Sequence, residues 1–153
     1  MASTSQDQHL QGSIVPMQRA PRPMEPGVTI GHVHLRTADI DRIRAFYVDL
    51  MGFDVVMEAR DVPGWGTTGD ILFLAAGGYH HHLGTNTWAA GSPPAGAEDA
   101  KLLEWELVLP AESDVAAATE SLKTAGYGAT ANGPDRLIAD PWGTVLRLRR
   151  ATS

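Results

Sequence analysis

The spacing of hydrophobic residues changes repeatedly along the chain and outlines a first series of elements. Residues 28–36 alternate between apolar and polar positions, as in a strand. The run Thr37-Ala38-Asp39 offers caps for a following helix, whose apolar residues recur at helical spacing and which stops at Gly52. Three further strands are expected over residues 53–58, 70–76 and the segment around His80, with a Gly-rich loop at 61–69. The pattern over residues 28–88 therefore predicts the order β-α-β-β-β.

The same order repeats after a linker of small residues and prolines, residues 89–100. The second series comprises a strand at 102–109, a helix capped by Ser113 or Asp114 and stopped at Gly126, and short strands at 127–131, 136–139 and 144–149. Leu35 and Leu107 are 72 residues apart, and Gly52-Phe53 and Gly126-Tyr127 are 74 residues apart. The repeat predicts an α+β domain of two tandem βαβββ modules, residues 28–88 and 101–150.

In this arrangement each helix covers one sheet face, and the opposite faces form a half-open barrel around a concave metal or ligand cavity. Residues 1–27 are rich in Ser, Gln, Pro and Met and lack an apolar period, so they are expected to form a flexible N-terminal tail.

Composition limits the classes of function. The 153 residues carry a net charge of −6, and the only dense basic run lies at residues 147–150. We therefore expect no nucleic-acid partner. Cysteine is absent, which excludes disulfides and thiolate ligands, and no apolar run is long enough to span a membrane. We expect a cytoplasmic protein, without a membrane partner, that acts on a small molecule.

The faces opposite the apolar stripes carry the candidate chemistry. If the segment around His80 is a strand, alternation places His80 and His82 on one face and His81 on the other. The remaining polar positions are His32 and His34 on the first strand, Glu104 and Glu106 on the fifth, and Arg147 and Arg149 on the eighth. Imidazole with carboxylate is a ligand set suited to Fe(II), Mn, Zn, Ni or Co.

Several motifs resemble the vicinal oxygen chelate superfamily, which includes glyoxalase I, extradiol dioxygenases, and fosfomycin- and bleomycin-resistance proteins. The motifs are Ile30-Gly31-His32-Val33-His34-Leu35, Ala45-Phe46-Tyr47 with Gly52-Phe53, and the turn Asp140-Pro141-Trp142-Gly143. The string Gly-Gly-Tyr-His-His-His-Leu-Gly-Thr-Asn-Thr-Trp, residues 77–88, is similar to the first domain of catechol 2,3-dioxygenase-like proteins. The resemblance covers about residues 28–150 and implies the duplicated fold, a divalent metal and a homodimer.

The resemblance places the metal ligands at His32, His82, Glu104 and position 147. The first three match the two-His-one-carboxylate set of non-haem Fe(II) sites, so Fe(II) is the first expectation. The family usually carries glutamate at the last position, where this chain has Arg147. Arg147 would repel a bound cation unless its side chain turns towards an anionic substrate. In the alternative, Arg147 forms an ion pair with Glu104 and the site holds no metal.

The other candidate residues surround this set. Glu106 and His80 are the catalytic candidates, and the substrate-binding candidates are His34, Arg147, Trp65 and Trp88. The leading hypothesis is a metal-dependent, dioxygenase-like enzyme acting on a small oxygenated or aromatic metabolite. The alternatives are a glyoxalase-type isomerase or lyase, and a non-catalytic drug- or metabolite-binding protein of the bleomycin-resistance kind. The last alternative predicts a Glu104–Arg147 ion pair and an aromatic-lined cleft.

Overall fold

The structure is a computed structural model that describes residues 30–64 and 66–152. The expected N-terminal tail, residues 1–27, and Trp65 lie outside these residues. The described residues form two four-stranded sheets, with the strand orders β1-β4-β3-β2 and β5-β8-β7-β6. The first module contains β1 (Val33–Arg36), α1 (Ile40–Arg44), a π-helical segment (Ala45–Leu50), β2 (Asp54–Gly64), β3 (Thr67–Ala75) and β4 (Leu83–Asn86). The second contains β5 (Glu104–Leu109), α2 (Glu112–Thr124), β6 (Ala129–Asn132), β7 (Asp135–Ala139) and β8 (Val145–Arg150).

The two sheets have the same topology. The first and last strands of each module are parallel neighbours, β1 with β4 and β5 with β8, while the other pairs are antiparallel. The prediction of an α+β fold with two tandem modules is confirmed. Among the described residues, no helix is long and apolar enough to cross a membrane.

The first helix follows the sequence signals closely. The Asp39 carboxylate accepts from the backbone N–H groups of Asp41 and Arg42, at 2.9 and 3.1 Å, which satisfies donors that have no partner inside the helix. The π-helical segment then places the adjacent residues Phe46 and Tyr47 in the core, each 0% exposed. The helix ends at Gly52, whose φ of 82° lies in the left-handed region that favours glycine.

The second helix begins differently from the prediction. Ser113 and Asp114 lie inside the first turn of α2 and do not cap it. The residue before the helix is Ala111, which is extended, and its backbone N–H donates to the Asp114 carboxylate at 3.0 Å. Asp114 thus satisfies a backbone donor from within the helix, where a carboxylate also complements the helix dipole.

The glycines at residues 61–69 do not form the predicted loop. β2 extends to Gly64 and β3 begins at Thr67, so most of this region belongs to two paired strands. A Cβ at Gly64 would lie 2.4 Å from Trp88 Cε2, and one at Gly69 would lie 2.8 Å from Trp88 Cδ1. The indole N–H of Trp88 donates to the carbonyl of Val62 at 2.9 Å. These glycines therefore make room for Trp88 to pack on the hairpin.

The two modules share one hydrophobic core. The rings of Tyr47 and Trp105 are 6.2 Å apart, those of Phe46 and Tyr127 are 4.8 Å apart, and the Tyr47 hydroxyl donates to the Asp140 carboxylate at 3.3 Å. Burial raises the pKa of Tyr47, so the phenol stays protonated and remains a donor. The segment at residues 89–100, predicted as a linker, contains no helix or strand. The modules are therefore joined by side-chain packing as well as by the chain.

Candidate metal and substrate site

The run of histidines precedes β4 and does not form a strand. Gly77 and Gly78, with φ of 62° and 77°, turn the chain after β3, and regular pairing with β1 begins only at Leu83. The sequence interpretation that His80 and His81 point to opposite faces of a strand is therefore wrong. The turn made by the two glycines removes the two-residue alternation on which it depended.

The turn brings two of these histidines to the residue before β1. The ligating nitrogens of His32, His80 and His81 all lie within 4.8 Å of one another, the one such group of three potential ligands in the described part of the chain. The His81 ring lies 4.6 Å from that of His32 and 4.5 Å from that of His80. We call His32, His80 and His81 the imidazole cluster.

Packing fixes one member of the imidazole cluster and leaves the others accessible. His81 is half-buried and stacks on Phe73, with ring centroids 4.7 Å apart and planes 19° apart. His32 and His80 are exposed. Burial, together with the neighbouring imidazoles, lowers the pKa of His81, so its ring is neutral at pH 7 and retains the lone pair a metal requires.

The predicted ligand His82 lies next to the imidazole cluster but is engaged elsewhere. Its backbone carbonyl accepts from the N–H of Val33 at 3.0 Å, which holds the ends of β1 and β4 together. Its ring Nδ1 accepts from the backbone N–H of Ala76 at 3.2 Å. A neutral imidazole that accepts at Nδ1 carries its proton on Nε2.

His34 is also held by hydrogen bonding. Its Nε2 lies 2.7 Å from Nδ2 of Asn86, whose Oδ1 accepts from the Trp88 backbone N–H, so the Asn86 amide donates to the ring. Burial, then the nearby His32 and His81, lower the pKa of His34. The opposite residue on β4 is Gly84, where a Cβ would come within 2.7 Å of His34 Nδ1. The His34 ring therefore lies over Gly84 and is oriented by Asn86, while the residue remains exposed.

The corresponding face of the second sheet carries ion pairs. The Arg147 guanidinium donates to Glu104 at 2.6 Å and to Asp135 at 3.1 Å, and these carboxylates raise the pKa of Arg147. Arg149 donates to Glu106 at 3.1 Å. The Glu104–Arg147 pair, which the sequence offered as the alternative to metal ligation by Glu104, is thus present.

A cavity of about 1150 Å³ brings four of the predicted residues together. His32 and His82 from the first module and Glu104 and Glu106 from the second contribute to its lining. Its apolar lining includes Val33, Met51, Phe53, Trp105, Leu107 and Leu109. A mixed lining of apolar side chains and a few polar groups is typical of small-molecule sites.

The other predicted residues lie outside the lining of this cavity. His80 belongs to the imidazole cluster, and Arg147 to the ion pairs. His34 lines a second cavity of about 720 Å³, next to the linker and Trp142. Trp88 packs on the β2–β3 hairpin, and Trp65 lies outside the described residues. Sequence reasoning missed His81, although the consecutive glycines before it were the signal of a turn.

Comparisons with known proteins agree with this architecture. The sequence model of the Glyoxalase/Bleomycin resistance protein/Dioxygenase superfamily matches residues 29–147. The chain belongs to this superfamily. A curated member, the catechol-2,3-dioxygenase of Bacillus subtilis (strain 168), is 34% identical over 113 residues, which is 73% of this chain and 37% of that protein. The chain therefore matches little more than a third of the length of this relative.

Solved structures of other proteins share the fold. The glyoxalase family protein from Enterococcus faecalis has a TM-score of 0.59 and 19% identity, covering 78% of this chain and 95% of that one. An antibiotic binding protein from a Streptomyces species, TnmS3, has a TM-score of 0.56 and 24% identity, covering 84% of this chain and 100% of that one. At these identities the likeness establishes the fold, and function has to be argued from the site.

Proposed function

We propose that this superfamily member is a metal-dependent enzyme that acts on a small oxygenated or aromatic metabolite by dioxygenase-like chemistry. The observation that carries the proposal is the 1150 Å³ cavity, whose lining combines His32 and His82 with Glu104 and Glu106. The 34% identity to a catechol-2,3-dioxygenase supports the same class of reaction. The substrate class follows from the cavity, which is mainly apolar with a few polar groups.

The side chains beside the cavity fit a divalent ion through imidazole. His32 would hold the ion, together with the neighbouring His80 and His81, because imidazole suits Zn, Cu, Fe and Ni. Glu104 fits less well, since its carboxylate already accepts from the Arg147 cation at 2.6 Å. When bound, the ion would supply Lewis-acid stabilisation to two vicinal oxygens of the substrate and the capacity to react with dioxygen.

The chain itself supplies orientation and a proton acceptor. Trp105 and Phe53 belong to the lining and are buried in the core, so they form a fixed apolar wall beside the site. Apolar walls exclude water and strengthen the polar contacts inside. The Glu106 carboxylate lies in the same lining, where it can accept a proton from a substrate hydroxyl, and Arg149 holds its position.

Oxygen uptake tests the proposal. The full chain is stripped with a chelator, reconstituted anaerobically with Fe(II), Mn, Co, Ni or Zn, and mixed with a series of catechols in an oxygen electrode. We expect oxygen consumption equal to ring-cleaved product with at least one metal, and a loss of about 100-fold in Glu106→Gln, as for removal of a general base. The exposed helical variant Glu112→Gln is the matched control. No uptake with any metal and catechol would exclude the dioxygenase-like reaction.

A second candidate is a non-catalytic protein that binds a drug or metabolite, and the Glu104–Arg147–Asp135 ion pairs favour it. They neutralise the second module's open face without a metal. This function predicts that an aromatic ligand binds equally well with or without a chelator and is recovered unchanged. Calorimetry followed by analysis of the recovered ligand distinguishes the two functions.

A further inference from the structure

We infer that the metal ligands are His32, His80 and His81, and that the metal is a nitrogen-preferring first-row ion held by three imidazoles. The inference rests on the proposed metal dependence, and it replaces the sequence-predicted ligands His82 and Glu104. It also places all three protein ligands in the first module.

The spacing of the imidazole cluster suits a single ion. Metal–nitrogen bonds of about 2.1 Å keep any two ligand nitrogens within about 4.2 Å of each other. The ligating nitrogens of the cluster all lie within 4.8 Å, so ring rotations of the exposed His32 and His80 suffice to close the site. The Phe73 stack holds His81 in place while the other two rings adjust.

The imidazole cluster adjoins the substrate cavity. His32 is at once a member of the imidazole cluster and part of the lining of the 1150 Å³ cavity. An ion with three protein ligands would keep a further position for water or substrate, as in catalytic sites with three histidines.

Hydrogen bonds argue against the sequence-predicted ligands. The Nδ1 lone pair of His82 is occupied by the N–H of Ala76, and the neutral ring carries its proton on Nε2. Glu104 accepts from Arg147, whose positive charge would also repel a cation at that position. Ligation by either residue would first have to break an existing contact.

Matched substitutions of neighbouring histidines test the assignment. The full chain, stripped of metal, is titrated with Ni(II), Zn(II) and Mn(II) by calorimetry, and the Co(II) complex is followed by its visible absorption. We expect Ni(II) and Zn(II) to bind more tightly than Mn(II). His81→Ala and His80→Ala should weaken Ni(II) binding at least about 100-fold, because loss of even an outer-shell partner of a metal ligand costs 10–100-fold.

His82→Ala and Glu104→Gln serve as controls and should change Ni(II) affinity by no more than about threefold, which is far below the effect of losing a ligand. His80 is exposed, so His80→Ala keeps the test valid if His81→Ala disturbs the packing on Phe73. Melting curves verify that each variant is folded.

The outcomes separate this inference from the proposed function. Loss of Ni(II) binding in His82→Ala or Glu104→Gln, with binding retained in His81→Ala and His80→Ala, would overturn the inference and leave metal dependence intact. A wild-type protein that binds none of the ions would overturn both. A metal that depends on His80 and His81, in a protein that consumes no oxygen, would uphold the site and remove the dioxygenase-like function.

Discussion

The two sheets have the same strand order, but their open faces carry different chemistry. The first module presents the imidazole cluster, in which His81 stacks on Phe73. The second presents ion pairs. Arg147 pairs with Glu104 and Asp135, and Arg149 pairs with Glu106. The buried faces of both sheets consist of leucine, isoleucine and aromatic residues in one core. The comparison indicates that packing constrains the buried face of a duplicated module, whereas its open face is free to diverge.

Substitutions in the core should have the largest effect on stability and should affect the two modules alike. Leu74 of β3 and Leu148 of β8 are both 0% exposed. We expect Leu74→Ala and Leu148→Ala each to lower the free energy of unfolding by about 3 kcal/mol, from lost burial and the cavity left behind. Urea denaturation followed by fluorescence and by circular dichroism should give one coincident transition.

The control for this comparison is Val56→Ala, at a residue that is 49% exposed, where we expect a change within about 0.5 kcal/mol. Two separate transitions, or a large effect in one module alone, would show that the modules unfold independently and that the shared core does not couple them.

A single charge reversal should make the second face resemble a metal site. Arg147→Glu places a third carboxylate beside Glu104 and Asp135, which now share Arg147. Because carboxylate number raises affinity for hard cations, we expect about tenfold tighter Mn(II) binding than in wild type. Without metal, repulsion between the carboxylates should lower the melting temperature. Calorimetric Mn(II) titrations and melting curves measure the two effects.

Arg147→Gln removes the cation without adding a carboxylate and is the matched control for this change. Equal Mn(II) affinity in the two variants would show that the geometry of the second face is unsuitable for a metal, whatever its charge.

The smallest expected effect concerns the hydrogen bond between the modules. Burial raises the pKa of Asp140, so the folded protein holds this proton to higher pH than the unfolded chain does. The contribution of Asp140 to stability is therefore present at low pH and is lost as the pH rises from 3.8 through the raised pKa. Tyr47 donates to this carboxylate and opposes the shift.

Tyr47→Phe should accordingly cost about 1 kcal/mol at pH 7, and less at about pH 3.5, because a pKa raised from 3.8 leaves Asp140 mainly protonated there. Urea denaturation at both pH values measures the difference. Tyr127→Phe, which changes a hydroxyl outside this pair, should show no such dependence on pH. A cost for Tyr47→Phe that is equal at the two pH values would show that the phenol does not stabilise the charged carboxylate.

The fold was largely predictable from the sequence because periodicity reports burial. The alternation around Leu35 and Leu107, and the glycines that end both helices, identified the duplicated βαβββ order. The predictions were wrong where a residue is required by a contact with another residue that is distant in the sequence. Gly64 and Gly69 lie in a stretch whose composition is typical of a loop, but they accommodate Trp88, which is distant in the sequence.

The sequence predicted which residues lie around the candidate site better than it predicted how their side chains are arranged. His32 and His82, from the first module, and Glu104 and Glu106, from the second, do line one cavity. Alternation assigned His81 to the opposite face, because a one-dimensional pattern contains no information about the positive φ angles at Gly77 and Gly78. His82 Nδ1 accepts a hydrogen bond from Ala76, which lies next to the same turn, and this contact is one basis of the ligand set inferred above.

The packing of Trp88 against glycine has a consequence for the mechanics of assembly. The indole is fixed on the hairpin immediately before the linker, residues 89–100, leaves the first module. The linker therefore starts from an anchored point, which shortens the free chain that must be closed when the second module docks. Loop-closure entropy depends on that free length. A side chain larger than glycine at residue 64 or 69 would release the anchor and lengthen the tether between the modules.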